Sequence, residues 1–265
     1  MPIPDFSKVP LEKLISLKDR VAVITGGARG IGLAIAKRLA EAGAHILIVD
    51  IDVGECLKKS VADLKKKKTK IKGLLLDSQN ANDMDRAADA ALKEFGKIDI
   101  WVNNAGIYPS SKLIDLDENT LTKVFDTNIK GVMYGSRAAV SKMKKTGGVI
   151  LNLASVSGFQ GEEDMVHYNA TKFAVRGITA GLAKELGEKN IRVVAIAPTL
   201  VDTPGIHEQT PNPKKEIKET AARLPLGRVS VPDDIARIAL ILVSDLSAFV
   251  TGTTFVVDGG DMALG

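Results

Sequence analysis

The stretch SVSGFQGEEDMVHYNATK, residues 155–172, brings together a serine, a tyrosine and a lysine. Tyr168 and Lys172 are four apart, so on a helix they share one face. A phenol has an ordinary pKa near 10, too high for a base at neutral pH. An ammonium group beside it favours the phenolate. Tyr168 is then able to exchange a proton with a substrate hydroxyl or carbonyl oxygen. Ser155, thirteen residues before the tyrosine, is suited to hydrogen-bond and orient that oxygen. Proton handling alone moves no electrons, and the same Tyr/Lys pair on an exposed helix would do nothing. The chemistry needs a carrier supplied from elsewhere in the chain. A Ser-His-Asp hydrolase does not fit, because no G-x-S-x-G is present and His167 adjoins Tyr168 on another helical face.

A candidate nucleotide site lies upstream. TGGARGIG, residues 25–32, follows a short β-branched run. Its glycines, Gly26, Gly30 and Gly32, are spaced G-x-x-x-G-x-G rather than G-x-G-x-x-G. Such a turn lets backbone approach a pyrophosphate, and the helix that follows offers unpaired N–H groups. Eighteen residues on, Asp50 ends a second apolar run, where a carboxylate accepts hydrogen bonds from a ribose diol. Its charge disfavours a 2′-phosphate, so NAD is expected over NADP, whereas Arg29 argues the other way. Asp77 is placed to reach an adenine edge, and NNAG at 103–106 to pack on adenosine. Turn capping is the competing role for Asp77 and Asn104.

The elements that must position these groups follow from hydrophobic periodicity. Seven apolar runs, at 20–26, 45–50, 70–77, 98–106, 147–155, 191–198 and 253–260, alternate with helical patterns. The helical patterns include 32–44, a segment running into the lysines at 65–68, one capped by Asn82 or Asp83, a long one at 117–145 with a break near Asn128–Gly131, and Tyr168–Glu188. Runs this continuous suit a parallel sheet covered on both faces. The expected fold is an α/β, single-domain, doubly wound parallel sheet of about seven strands, spanning 1–265, with ligands at the carboxyl ends of the strands. Residues 1–19 form an N-terminal extension, and 202–225, polar and rich in proline, a substrate lid with some helix.

The 265 residues are 45% hydrophobic and 26% charged, with net charge +4. Lysines are dispersed, which argues against nucleic acid as a partner. The single Cys56 excludes an internal disulfide and a thiolate metal cluster, and three scattered histidines show no metal spacing. No apolar run suits a signal peptide or membrane span, so a cytoplasmic protein is expected.

TGGARGIG, NNAG, TNIKG (127–131), NLASVSG (152–158), YNATK and IAPTLVDTPG (196–205) stand in the order that resembles the short-chain dehydrogenases/reductases, over residues 20–260. The resemblance implies a catalytic tetrad of Asn128, Ser155, Tyr168 and Lys172. In it the asparagine sits at a helix irregularity and helps hold a water in a proton relay through the lysine. It implies cofactor contacts from Gly26, Arg29, Gly30, Ile31, Gly32, Asp50, Ile51, Asp77, Ser78, Asn104, Ala105 and Gly106. Tyr168, Lys172, Pro198, Thr199, Val201 and Thr203 then surround the nicotinamide. It further implies a homotetramer.

The expected activity is NAD(H)-dependent interconversion of a secondary alcohol (simple alcohol, polyol or sugar) and its ketone, with no metal. The alternatives are an NADPH-dependent 3-oxoacyl or carbonyl reductase, and a catalytically silent nucleotide-sensing regulator. The small-molecule substrate is expected against Ser155, Tyr168, Phe159, Gln160 and Leu200, with Tyr108, Pro109, Ser157, Glu162 and Glu163 nearby.

Overall fold

A computed structural model describes residues 4–51, 55–64, 69–143 and 147–264. A short helix α1 (Leu11–Ile15) leads to strand β1 (Val21–Thr25). Strand and helix then alternate: α2 (Gly30–Glu41), β2 (His45–Asp50), α3 (Glu55–Leu64), β3 (Ile71–Leu75), α4 (Ala81–Phe95) and β4 (Ile100–Asn103). Helix α5 (Glu118–Phe125) continues through a π-helical turn, Asp126–Lys130, into α6 (Gly131–Met143). There follow β5 (Gly148–Leu153), α7 (Val166–Leu186), β6 (Ile191–Pro198), α8 (Pro204–Gln209), α9 (Pro213–Arg223), α10 (Pro232–Val243) and β7 (Thr254–Val257).

All strand pairs are parallel, in the order β3-β2-β1-β4-β5-β6-β7. The order reverses between β1 and β4, which opens a crevice at their carboxyl ends. Strand alternation divides the core into two layers. Ile24, Ile48, Val102 and Leu151 face α2 and α10, packing on Ile35, Leu39 and Ile235. Val23, Leu47, Trp101 and Ile150 face α4 and α6, packing on Met84, Ala88 and Ala139. The β1 residues Val21–Thr25 are all buried, and each large apolar side chain so buried contributes about 1.5–3 kcal/mol. The expected doubly wound sheet is therefore the observed one.

Several boundaries differ from the periodicity. Strand β4 ends at Asn103, because Asn104 turns away to bind the β1 turn, and β3 ends at Leu75, before Asp77 opens a turn. The cap of α4 is Asn80, whose side-chain Oδ1 accepts from the Asn82 and Asp83 amides. The anticipated break near Asn128 is the π turn, where one extra residue per turn rotates Asn128 inward. The extension is partly anchored: Leu17 is fully buried, and its N–H donates to Ala42 O. The expectation of a helix end at 65–68 lies outside the described residues. No helix among the described residues is long and apolar enough to cross a membrane.

Candidate active site and nucleotide cleft

The glycine turn is shaped by contact. Gly26 adopts φ +61°, and a Cβ on Gly32 would stand 2.2 Å from Gly26 O. Side chains staple the turn from three sides. Asn104 Nδ2 donates to Thr25 O and Gly26 O at 2.9 and 2.8 Å, and Ser60 Oγ donates to Ala28 O at 2.7 Å. Ala28 N donates to Asp50 Oδ2 at 2.9 Å. Helix α2 begins at Gly30 with no side-chain cap from Arg29, so its first N–H groups face the crevice as an anion site.

A cavity of about 310 Å³ opens here, lined by Gly26, Arg29, Gly30, Ile31, Asp50 and Ile51, and further by Asp77, Ser78, Asn104, Ala105, Gly106 and Thr203. Ile51 is 60% exposed at its edge, an apolar surface with no core to join. Cradle, uncapped helix, ribose-height carboxylate and apolar wall together fit a dinucleotide. Gly32 lies under the turn rather than on the cavity surface, so its role is to let the backbone close. Asp77 and Asn104 each take the capping role as well, since Asp77 Oδ1 accepts from Gln79 N at 2.9 Å. Arg29 is paired with Glu208 of α8 at 2.6 Å.

A second cavity, about 260 Å³, adjoins the first and shares Ile31, Asn104, Gly106, Tyr108 and Thr203 with it. Ser155 enters it from the end of β5, Tyr168 and Lys172 from α7, and Pro198, Thr199, Leu200 and Val201 from the end of β6. The structure thus brings the trio together across 155–172. Lys172 Nζ lies 5.4 Å from the Tyr168 ring centroid and donates to Leu153 O at 2.7 Å. Buried Asn128 accepts from Ile107 N at 2.9 Å and donates to Ile107 O and to Thr171 Oγ1 at 2.8 and 3.2 Å. Its Oδ1 and Lys172 Nζ flank Gly106.

Burial pushes the Tyr168 phenol well above its ordinary value of 10, with Ser155 opposing and the charges of Glu162 and Tyr108 adding. Burial likewise pulls the Lys172 ammonium down to about 8. Burial is thus the largest influence on both groups, and on the phenol it acts against the ionised form that a neighbouring cation favours. Tyr108 stacks edge-on against Tyr168 at 6.3 Å, and burial raises its phenol too.

Two expected substrate residues are placed elsewhere. Neither Phe159 nor Gln160 lines the cavity. A 3-10 turn at Val156–Gly158 carries Phe159 against Ala154, Val175 and Ala197, where the Arg176 guanidinium covers its ring at 3.6 Å. Gln160 points to solvent. Glu162 does line the cavity, whereas Glu163 is exposed outside it. His167 is buried with Nε2 2.8 Å from Pro109 O, a structural role.

Glu216, Thr220 and Arg223 line the substrate cavity from the 202–225 segment expected as a lid, and Met165 lines it beside them. Thr25 was not anticipated: its Oγ1 accepts from the amides of Asn104 and Ala105. Asp261 reaches back to accept from Thr199 Oγ1 at 2.6 Å. Only the aspartates of DGGD after β7 hinted at it. Among the described residues no group of three or more His, Cys, Asp or Glu is arranged to hold a metal.

The fold and site define a nucleotide-dependent oxidoreductase, and comparison places it. A family model described as Enoyl-(Acyl carrier protein) reductase matches residues 26–261. A 3alpha-hydroxysteroid dehydrogenase from Mediterraneibacter gnavus is 39% identical, over 92% of this chain and 97% of its own. An L-2,3-butanediol dehydrogenase from Corynebacterium glutamicum is 36% identical, over 91% and 98%. The crystal structure of levodione reductase superposes with a TM-score of 0.89 at 32% identity, covering 94% of this chain and 99% of the other. The chain belongs to the short-chain dehydrogenase/reductase family, whose members use NAD(P) nucleotides. It is an enzyme acting on CH–OH and ketone groups.

Proposed function

We propose that this chain is an NAD(H)-dependent oxidoreductase that interconverts a secondary alcohol and its ketone, with Tyr168 as general acid/base. The observation that carries the reading is the convergence of Ser155, Tyr168 and Lys172 on one cavity that shares a wall with the nucleotide cleft. A bound nicotinamide supplies the hydride acceptor or donor. The residues of the chain handle the rest. Ser155 holds the reacting oxygen, and Tyr168 takes or gives its proton at the phenol oxygen. Lys172 would bind the nicotinamide ribose, and Asn128 fixes the Ile107 backbone beside it. Cationic charge entering beside the buried phenol favours its ionised form, which offsets the burial that raises it.

Asp50, lining the cleft, supports NAD over NADP, and the Arg29–Glu208 pair supports it further by occupying the cation. A second reading, an NADPH-dependent 3-oxoacyl reductase, is favoured by Arg29 at the same cleft and by a 38%-identical 3-oxoacyl-acyl-carrier-protein reductase from Chlamydia muridarum. The segment 202–225 serves as the substrate lid, because Ile206, Glu216 and Thr220 roof the cavity. The assembly we propose is a cytoplasmic homotetramer, supported by exposed Met133, Phe173 and Val256 on α6, α7 and β7; light scattering reads its mass.

The test is a panel of 2,3-butanediol, cyclohexanol, a 3α-hydroxysteroid and a 3-oxoacyl thioester, each with both nucleotides. Tyr168→Phe should lower kcat by about 100-fold or more while NADH binding, read by fluorescence, is kept. A variant with near-wild-type turnover would sink the reading. Higher kcat/KM with NADP than NAD would replace it by the second.

A further inference from the structure

Beside the atoms that receive the reacting oxygen, the substrate cavity carries a carboxylate with an oxygen to spare. Ser155 is in hydrogen-bond contact with the Tyr168 phenol and, at 3.0 Å, with Ser157 Oγ. Ser157 Oγ in turn lies 2.6 Å from Glu162 Oε1. The carboxylate is thus two hydrogen bonds from Ser155, and its charge acts on the Tyr168 phenol as well. Asn169 Nδ2 holds the Glu162 carbonyl at 3.0 Å, which fixes the backbone there. Among the described residues no hydrogen bond or ion pair engages the second carboxylate oxygen. Much of the remaining wall is apolar, from Val156, Met165, Leu200 and Ile206. A hydrocarbon group set against that carboxylate strips its water and returns nothing, whereas a hydrogen-bond donor replaces the water it displaces.

We propose that Glu162 is a specificity-determining residue that accepts a hydrogen bond from a second hydroxyl on the carbon next to the reacting carbinol, so that the site takes vicinal diols and returns α-hydroxyketones. In a gauche diol the two oxygens stand about one hydrogen-bond length apart. One oxygen then meets Ser155 and Tyr168 while the other reaches the carboxylate beyond Ser157. The reacting carbon gives its hydride to the nicotinamide, its hydroxyl proton passes to Tyr168, and the C–O single bond becomes a carbonyl. The second hydroxyl loses nothing and serves as the handle. Charge decides against an anionic group on that carbon. Glu216 shares the cavity with Glu162, and the Arg223 guanidinium there leans to Asp261 at 3.6 Å. A carboxylate or phosphate beside the carbinol therefore meets like charge. Glu162 is solvent-exposed in the open cavity, which keeps its preference to the worth of one hydrogen bond.

The inference rests on the reading that Ser155 and Tyr168 hold the reacting oxygen. The probes are 2,3-butanediol and 3-methyl-2-butanol, in which a methyl group of similar volume replaces the second hydroxyl. The readout is kcat/KM with the better nucleotide or, where turnover is too slow, affinity for the reduced-nucleotide complex by fluorescence titration. Wild type should prefer the diol by about tenfold, the worth of one hydrogen bond to a charged group. Glu162→Ala should abolish the preference by lowering the diol value while the methyl analogue holds or gains. Ser157→Ala, which removes the other partner of the carboxylate, should keep the preference. Glu163→Ala, exposed outside the cavity, should change neither value. A Glu162 that only props Ser157 gives a different pattern, in which Glu162→Ala and Ser157→Ala weaken both alcohols alike. That pattern overturns the inference, as does a wild type that does not prefer the diol, a result that needs no variant. Turnover abolished by Tyr168→Phe alongside a diol preference that is absent, or untouched by Glu162→Ala, removes the inference alone. Turnover that survives Tyr168→Phe removes the underlying reading, and the inference with it.

Discussion

The two cavities that meet at Tyr108 and Thr203 are built in different ways. The nucleotide cleft is made of backbone and strand ends, locked by bonds to the buried sheet: Asn104 to Thr25 O and Gly26 O, Ala28 N to Asp50, Ser60 to Ala28 O. The outer half of the substrate cavity is made of side chains on α8 and α9, held mainly by polar contacts near the surface. These are the exposed Arg29–Glu208 pair, the His207–Asp202 hydrogen bond and the looser Arg223–Asp261 pair at 3.6 Å. Exposed pairs contribute about 0–1 kcal/mol each, whereas a backbone contact in the core has nowhere to move. The first region is therefore expected to fail outright when altered, and the second to be tuned.

The largest effect should come from Gly32→Ala. Its methyl would stand 2.2 Å from Gly26 O and 2.5 Å from Asn104 Nδ2, so the turn must open. Overpacking of this kind costs about 3 kcal/mol, and nucleotide affinity should fall by roughly 100-fold. Titration of NADH fluorescence reads it. Affinity within twofold of wild type would show that the cleft yields as readily as the lid.

The middle of the range lies between the two cavities, at Lys172. Its folded-state pKa is pulled down to about 8 from 10.5 by burial. Between those values the unfolded chain holds the proton and the folded chain does not, so stability rises with pH. Tyr168 acts in the opposite sense above pH 10, since its folded pKa is raised from 10.0. Wild type should therefore gain stability relative to Lys172→Met from about pH 8 to 10, as read by urea midpoints. A difference that stays constant with pH would mean that the ammonium is solvated.

The same contrast explains what was legible in the sequence. Gly26, Gly32, Asp50 and the Tyr168/Lys172 pair are each tied to one local element, whose type follows from periodicity. The helix irregularity near Asn128 was legible because a break in a helical pattern has a local cause, whereas a role for Asn128 itself came only with the family resemblance. Phe159 and Gln160 were not, because the turn at Val156–Gly158 and the cover from Arg176, seventeen residues after Phe159, decide where they point. The Thr199–Asp261 bond and the Arg29–Glu208 pair join residues 62 and 179 apart in the chain. Long-range pairs between surface elements leave no periodic mark. Strand ends were read too long for a related reason: Asn104 and Asp77 continue the apolar runs on paper but bond to neighbouring turns in space.

The smallest effect should come from Glu208→Gln, which uncouples the lid from the glycine turn. Arg29 Nη1 contacts both Glu208 oxygens at 2.6 Å, but the two side chains are 46% and 53% exposed. The loss should stay within about 0.5 kcal/mol, or twofold in kcat/KM with NAD. The direction is more informative than the size. Releasing Arg29 returns a cation to a cleft where Asp50 disfavours a 2′-phosphate, so kcat/KM with NADP should rise while that with NAD falls slightly. Added salt should erase the NADP gain, because screening acts on an exposed charge. If both nucleotides change in parallel and salt has no effect, Glu208 only props the lid, and the two regions are mechanically rather than electrostatically joined.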